Sequence, residues 1–218
     1  MTIRNLSPYI PVIMTKLNKY LLTVVLFLPF LLMAQEQLTN LPTLYITTDS
    51  TYANGTKVPI QKEVYFSGSL RIVAGNETPG QYDSTIQIRG RGNSTWNLAK
   101  KPYRIKLDKK TRLLGMTAKE NDWVLLANHA DKTLVRNALA FEISKACNIY
   151  YTPDYRFVDV ILNGNYIGNY MLTDQVERDK DRVNTEKMDT SRLDPNLTGG
   201  YVLEIDGFGI TGSYDPSK

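Results

Sequence analysis

The residues with the clearest chemical content lie between positions 89 and 112. Arg89-Gly90-Arg91-Gly92-Asn93-Ser94-Thr95 brings guanidinium groups, hydroxyls and glycines together within seven positions. Guanidinium pairs bidentately with phosphate or carboxylate, hydroxyls and free backbone N–H groups donate to the same oxygens, and glycine lets the backbone come close. That is the chemistry of an anion cradle. Nine cations fall in this stretch (Arg89, Arg91, Lys100, Lys101, Arg104, Lys106, Lys109, Lys110 and Arg112), against Asp108 alone. The whole chain carries +4, of which +3 comes from Arg4, Lys16 and Lys19, so the basic block is local. A local block points to a site that meets an anion; a lysine-lined strand edge that discourages aggregation is the structural alternative. The residue order fits neither the Walker pattern nor GxGxxG.

Other chemistries are excluded by counts. The single cysteine, Cys147, rules out an intramolecular disulfide framework and a Cys-rich zinc site, and the single histidine, His129, rules out a two-His metal motif. Cys147 reads as a buried apolar residue near a helix end. His129 reads as a turn residue.

The elements that must hold the loop are strands. Ser84–Arg89 and Pro102–Leu107 alternate polar and apolar residues on either side of it, the period-2 signature of half-buried strands. Further strands are expected at 43–47, 63–66, 69–74 and 201–205, and Trp123–Ala127 reads as a strand buried on both faces. Asn163-Gly164 between two apolar runs is a hairpin signal, because both central residues of a type I′ turn need positive φ. A helix is expected at 132–146, with Asp131 as its N-cap. The fold class read from this layout is α+β, a mostly antiparallel sheet with one long helix packed on it.

The N-terminus reads as an export signal. Lys16 and Lys19 precede the apolar run Tyr20–Met33, which ends at Ala34-Gln35. Fourteen residues containing Pro29 are short for a bilayer span, which needs about 20. Cleavage near Ala34 would leave a secreted or cell-surface protein with no transmembrane helix. The loss of three cations also weakens any nucleic-acid reading.

An ordered series of segments resembles the spore coat protein H (CotH) kinase family. It runs through Arg91-Gly92-Asn93-Ser94-Thr95, Lys100-Lys101-Pro102-Tyr103-Arg104-Ile105-Lys106, Leu113-Leu114-Gly115 and Trp123–Asn128. It continues through Asp131-Lys132, Arg136-Asn137, Phe157-Val158, Asn163-Gly164, Gly168-Asn169-Tyr170 and Gly199-Gly200-Tyr201. The organisation expected is a signal at 1–34, a β-rich segment at 35–83, the CotH-like domain at 84–206 and a flexible, truncated end at 207–218.

The resemblance implies a distantly protein-kinase-like N-terminal lobe that uses ATP and Mg2+ to phosphorylate Ser/Thr on a protein substrate. By the same resemblance Arg91, Gly92, Asn93 and Ser94 cover phosphates, Lys101 is the nucleotide-phosphate lysine, and Arg104 is second to it. Arg136 and Asn137 contact phosphate or tie the helix to Trp123–Ala127. Glu142 pairs with Lys101 or Arg104 or is an exposed helix-edge residue, and Asp174 and Gln175 are positioned for adenine. The family's aspartate motifs do not occur in this sequence, so no catalytic or metal-binding residue is assigned and the chain is expected to be inactive alone. The competing reading is a non-catalytic surface module that binds an anionic glycan or an envelope partner through the same basic hairpin.

Overall fold

The computed structural model describes residues 39–75 and 82–185. The export segment, the strand expected at 201–205, Gly199-Gly200 and the end at 207–218 lie outside the described residues.

Seven strands follow in order: β1 (Thr43–Thr48), β2 (Phe66–Val73), β3 (Tyr82–Gly90), β4 (Tyr103–Thr111), β5 (Glu120–Leu126), β6 (Tyr155–Leu162) and β7 (Asn165–Asp174). One helix, α1 (Arg136–Ala146), joins β5 to β6, and a 3-10 turn at Ser94–Asn97 lies between β3 and β4. The strands form a closed barrel in the order β1-β2-β3-β4-β5-β7-β6. Every neighbouring pair is antiparallel except β1 and β6, whose parallel register from Thr43↔Asp159 to Ile46↔Leu162 closes the circle.

This corrects the expectation of an α+β, protein-kinase-like N-terminal lobe with one long helix packed on an open sheet: the sheet is a closed barrel and the helix has 11 residues. The alternation did identify half-buried strands: Leu44, Ile46, Leu70, Ile72, Ile86, Ile88, Ile105 and Leu107 are all 2% exposed or less. An open sheet beneath a helix and a barrel wrapped around its own interior produce the same period-2 pattern. Closure decides between them. Once the sheet covers its own apolar face, no helix is needed as a lid, and Ala138 is the sole buried residue of α1.

The helix also starts later than its sequence suggests. Leu134 takes φ of 62°, which interrupts helical geometry, and α1 begins at Arg136. Asp131 still serves its N-terminus from a turn upstream, accepting the Arg136 N–H at 2.8 Å and the Thr133 N–H at 3.0 Å. Cys147, expected to be buried, is exposed. Other local readings hold. Asn163 and Gly164 have φ of 51° and 81° and join β6 to β7, while Trp123, Val124 and Leu125 are all buried. The strand expected at 63–66 is corrected: only Phe66 of it is strand, continuing through Gly68 into the piece expected at 69–74 as the single strand β2, while Glu63 takes φ of 64°. Among the described residues no helix is long and apolar enough to cross a membrane.

Candidate anion-binding cleft

β3 ends and β4 begins at one mouth of the barrel, where β5 also ends, so the loop 91–102 and the turn after β5 come together there. Between them lies a cavity of about 320 Å³. Arg91, Thr95 and Lys100 reach it from the loop, His129 and Asp131 from the turn, and Arg136 and Asn137 from the first turn of α1.

Two of the three cations here, Arg91 and Lys100, have no carboxylate in an ion pair with them among the described residues. Partial burial, reinforced by the charges of Arg104 and Arg89, pushes the Arg91 pKa down. Lys100 Nζ sits 4.4 Å from the centroid of the Tyr170 ring and donates to the Asn169 carbonyl. Burial lowers its pKa too, against the attraction of Asp159. Arg136 is 81% exposed on the rim, its Nε 3.5 Å from Asp131 Oδ1. The Asp131 carboxylate is already engaged: it accepts the Thr133 hydroxyl at 2.7 Å and two backbone N–H groups, which together hold its pKa below the ordinary carboxylate value. Asn137 is oriented by Asn128, whose Oδ1 accepts its Nδ2 at 2.8 Å. Asn128 itself takes φ of 49° and donates to the Leu134 carbonyl, tying the turn to the start of α1. A pocket with three cations, one satisfied carboxylate and a free imidazole nearby is built for a polyanion.

The glycines of the loop have a different purpose from the one their chemistry suggests. A Cβ on Gly90 would stand 2.3 Å from the Trp96 ring, and one on Gly92, at φ of 89°, would stand 2.2 Å from Thr95 Oγ1. The space they leave is filled by the loop's own side chains, so they let the loop fold onto itself. Asn93 and Ser94 are exposed and lie outside the lining of the cleft, and the Asn93 carbonyl accepts the Trp96 N–H at 3.3 Å.

Four other expected residues stand elsewhere. Lys101 lies on the reverse side of the loop, where its Nζ donates to the Trp96 carbonyl at 2.7 Å. Arg104 alternates with the inward Tyr103 and Ile105, so it projects from the outer wall of β4 and pairs with Asp122 at 2.9 Å and Glu177 at 3.2 Å. Glu142 is exposed and pairs with Lys145 one turn along at 3.2 Å, so the pairing proposed with Lys101 or Arg104 is absent. Asp174 is buried, accepts the Tyr151 hydroxyl, and faces Arg182 at 3.8 Å.

The cleft thus gathers segments that lie far apart in the chain. The family model for the CotH kinase protein matches residues 88–215. The chain belongs to the CotH kinase family. No curated protein matches it. Of the residues that the CotH resemblance singled out, Arg91, Arg136 and Asn137 line the cleft. Thr95, read as part of the basic loop, lines it as well, as do Lys100, His129 and Asp131, to which the sequence reading gave no site role. A signal for two of them was present: Asn128-His129-Ala130-Asp131 comes one residue after the strand β5, a place where a loop carries function on a rigid support.

Proposed function

We propose that the cleft binds the phosphate chain of ATP, and that this is the nucleotide-binding part of an exported CotH-like kinase that phosphorylates Ser/Thr on a protein partner. One observation carries the reading. Three stretches of the family pattern (the Arg91 loop, Lys100 and the Asp131 to Asn137 turn) converge on one cavity that offers Arg91, Lys100 and Arg136 to an anion. Phosphoryl transfer needs cations on the phosphate oxygens, a metal and a group that orients the acceptor hydroxyl. The cleft supplies the first.

It does not supply the second. Among the described residues no three His, Cys, Asp or Glu side chains gather as metal ligands, and Asp131 is committed to Thr133 and the α1 N-terminus. The donor set fits a polyanion and not a magnesium ion, so no step is routed through the metal here. Arg91 and Lys100 would bind phosphate oxygens from the loop side, Arg136 from the rim, and Asn137 would donate its amide from an orientation fixed by Asn128.

The test is a calorimetric titration of the full chain with ATP, ADP and inorganic triphosphate. Binding of all three, weakened at least tenfold by Arg91→Ala and by Arg136→Ala, is the expected result. Binding of a sulfated or uronic glycan in place of all three would move the same cleft to the surface-module reading.

A further inference from the structure

α1 carries an apolar row that nothing in the described structure covers. Val135, Leu139 and Ile143 recur every four residues and are 49%, 59% and 54% exposed. The exposed Cys147 continues the row at the next fourth position. Ile149 and Tyr150, 59% and 74% exposed, extend it past the end of the helix. Residues four apart stack along one helical face, so these side chains form a single stripe about 18 Å long. A stripe of this kind on one helix marks a covered surface.

The chain's own course names the cover. Tyr150, at one end of the stripe, donates its hydroxyl to the Asn184 carbonyl at 3.1 Å, so the described chain ends beside this face. Residues 186–218 follow, and the family match continues to 215. Their first fifteen positions are mostly polar or glycine, and then come Tyr201-Val202-Leu203-Glu204-Ile205, the one concentrated apolar run in that stretch. The sixteen Cα–Cα steps from Thr185 to Tyr201 can span about 50 Å when extended, more than the length of the stripe.

We propose that Tyr201–Ile205 docks on the Val135–Leu139–Ile143–Cys147 face of α1. The consequence is functional, because α1 presents Arg136 and Asn137 to the cleft from its first turn. On its other side the helix touches the barrel through Ala138, the Phe141–Tyr155 ring contact at 5.9 Å and the Ser144–Thr152 hydroxyl pair at 2.6 Å, and none of these covers the Val135–Cys147 face. The docked segment covers that face, and it couples the far part of the domain to anion binding. This last consequence rests on the proposed function; the docking itself does not.

Cys147 is a native reporter, being the single cysteine of the chain. In the full chain its thiol should react with a disulfide reagent at least tenfold more slowly than in the unfolded chain. Leu203→Asp should restore fast labelling, whereas Met188→Asp, in the polar stretch, should not. The denaturation midpoint reported by the buried Trp123 should stay the same in both. Leu203→Cys should form a disulfide with Cys147 on mild oxidation, a positive result that does not depend on a disruptive substitution. Full reactivity of Cys147 in the parent chain would overturn the proposal, as would protection that grows with protein concentration, which would assign the face to a second copy. If Leu203→Asp frees the thiol and the parent still binds no nucleotide, the docking stands and the ATP reading fails.

Discussion

The basic block from 89 to 112 divides into two groups of cations that look alike in sequence and behave differently in space. Arg104 and Lys110 project from the outer wall of β4. There they meet Asp122, Glu177, Glu120 and Asp179, so the segment after β7 is strapped across the strands by paired charge. Arg91 and Lys100, a few positions earlier, turn to the mouth of the barrel and face a cavity in which the one carboxylate is already bonded. The lesson concerns partners. A run of cations does not identify a binding site; cations without carboxylates that converge on one cavity do.

The strap contains the side chain whose loss should cost most. Arg182 is fully buried, with Nη1 3.0 Å from Glu177, Nη2 3.0 Å from the Asp122 carbonyl and Nε 3.8 Å from Asp174. Removing one member of a buried pair leaves the other charge uncompensated, at about 3–5 kcal/mol. Arg182→Met should therefore lower stability to denaturant by that order while leaving the mouth of the barrel in place. The pH dependence has a definite sign. Burial holds the Asp174 pKa above the ordinary carboxylate value, so the folded state binds that proton more tightly than the unfolded one. The penalty is present above the folded pKa and disappears as pH falls toward the ordinary value. The variant should accordingly recover part of its loss in acid, measured as unfolding midpoints across pH.

Second in size is the loop. Gly90→Ala places a methyl group 2.3 Å from the Trp96 ring. Crowding of this kind costs about 1–3 kcal/mol, and the indole must move. Denaturation should show the loss, and the fluorescence of Trp96 should shift while that of the buried Trp123 does not.

These two sites also show how much of the molecule was legible beforehand. The strands and the Asn163-Gly164 turn could be read because each is specified locally, by alternation and by positive φ. Barrel closure could not, since it depends on β1 meeting β6 in parallel across more than a hundred residues, and no short-range pattern encodes that pairing. The anion cradle was legible as a place: Arg91, Arg136 and Asn137 line it. Its lysine was not, because Lys100 and Lys101 are adjacent and of one type, and only the path of the loop decides which side each takes. The purpose of Gly90 and Gly92 was hidden for a related reason. Permissive backbone is visible in a sequence, but the side chain that fills the space is not.

The adjacent lysines give the sharpest comparison by ligand affinity. Lys100→Met and Arg91→Ala should each weaken triphosphate binding at least tenfold, about 1.4 kcal/mol, while Lys101→Met changes it less than twofold. Lys100 must be protonated to act. Because burial lowers its pKa, the folded apo protein gives up that proton below the ordinary lysine value near 10.5. Affinity should therefore fall as pH rises toward 10.5, earlier than an exposed lysine would allow. Lys100→Arg should remove that part of the decline, as followed by calorimetry at several pH values.

The smallest effect expected is also the most discriminating. If Glu142 formed the ion pair that a protein-kinase lobe uses to hold its lysine, Glu142→Gln would abolish nucleotide affinity. In this barrel Glu142 faces solvent beside Lys145, and the pair's side chains are 54% and 40% exposed. Exposed helix pairs contribute about 0.3–0.5 kcal/mol and weaken with salt. Glu142→Gln should thus shift stability by no more than that, with the difference vanishing in high salt, and should leave triphosphate affinity within twofold. A large loss of affinity would mean that α1 moves when ligand binds, bringing Glu142 to a cation it does not reach here.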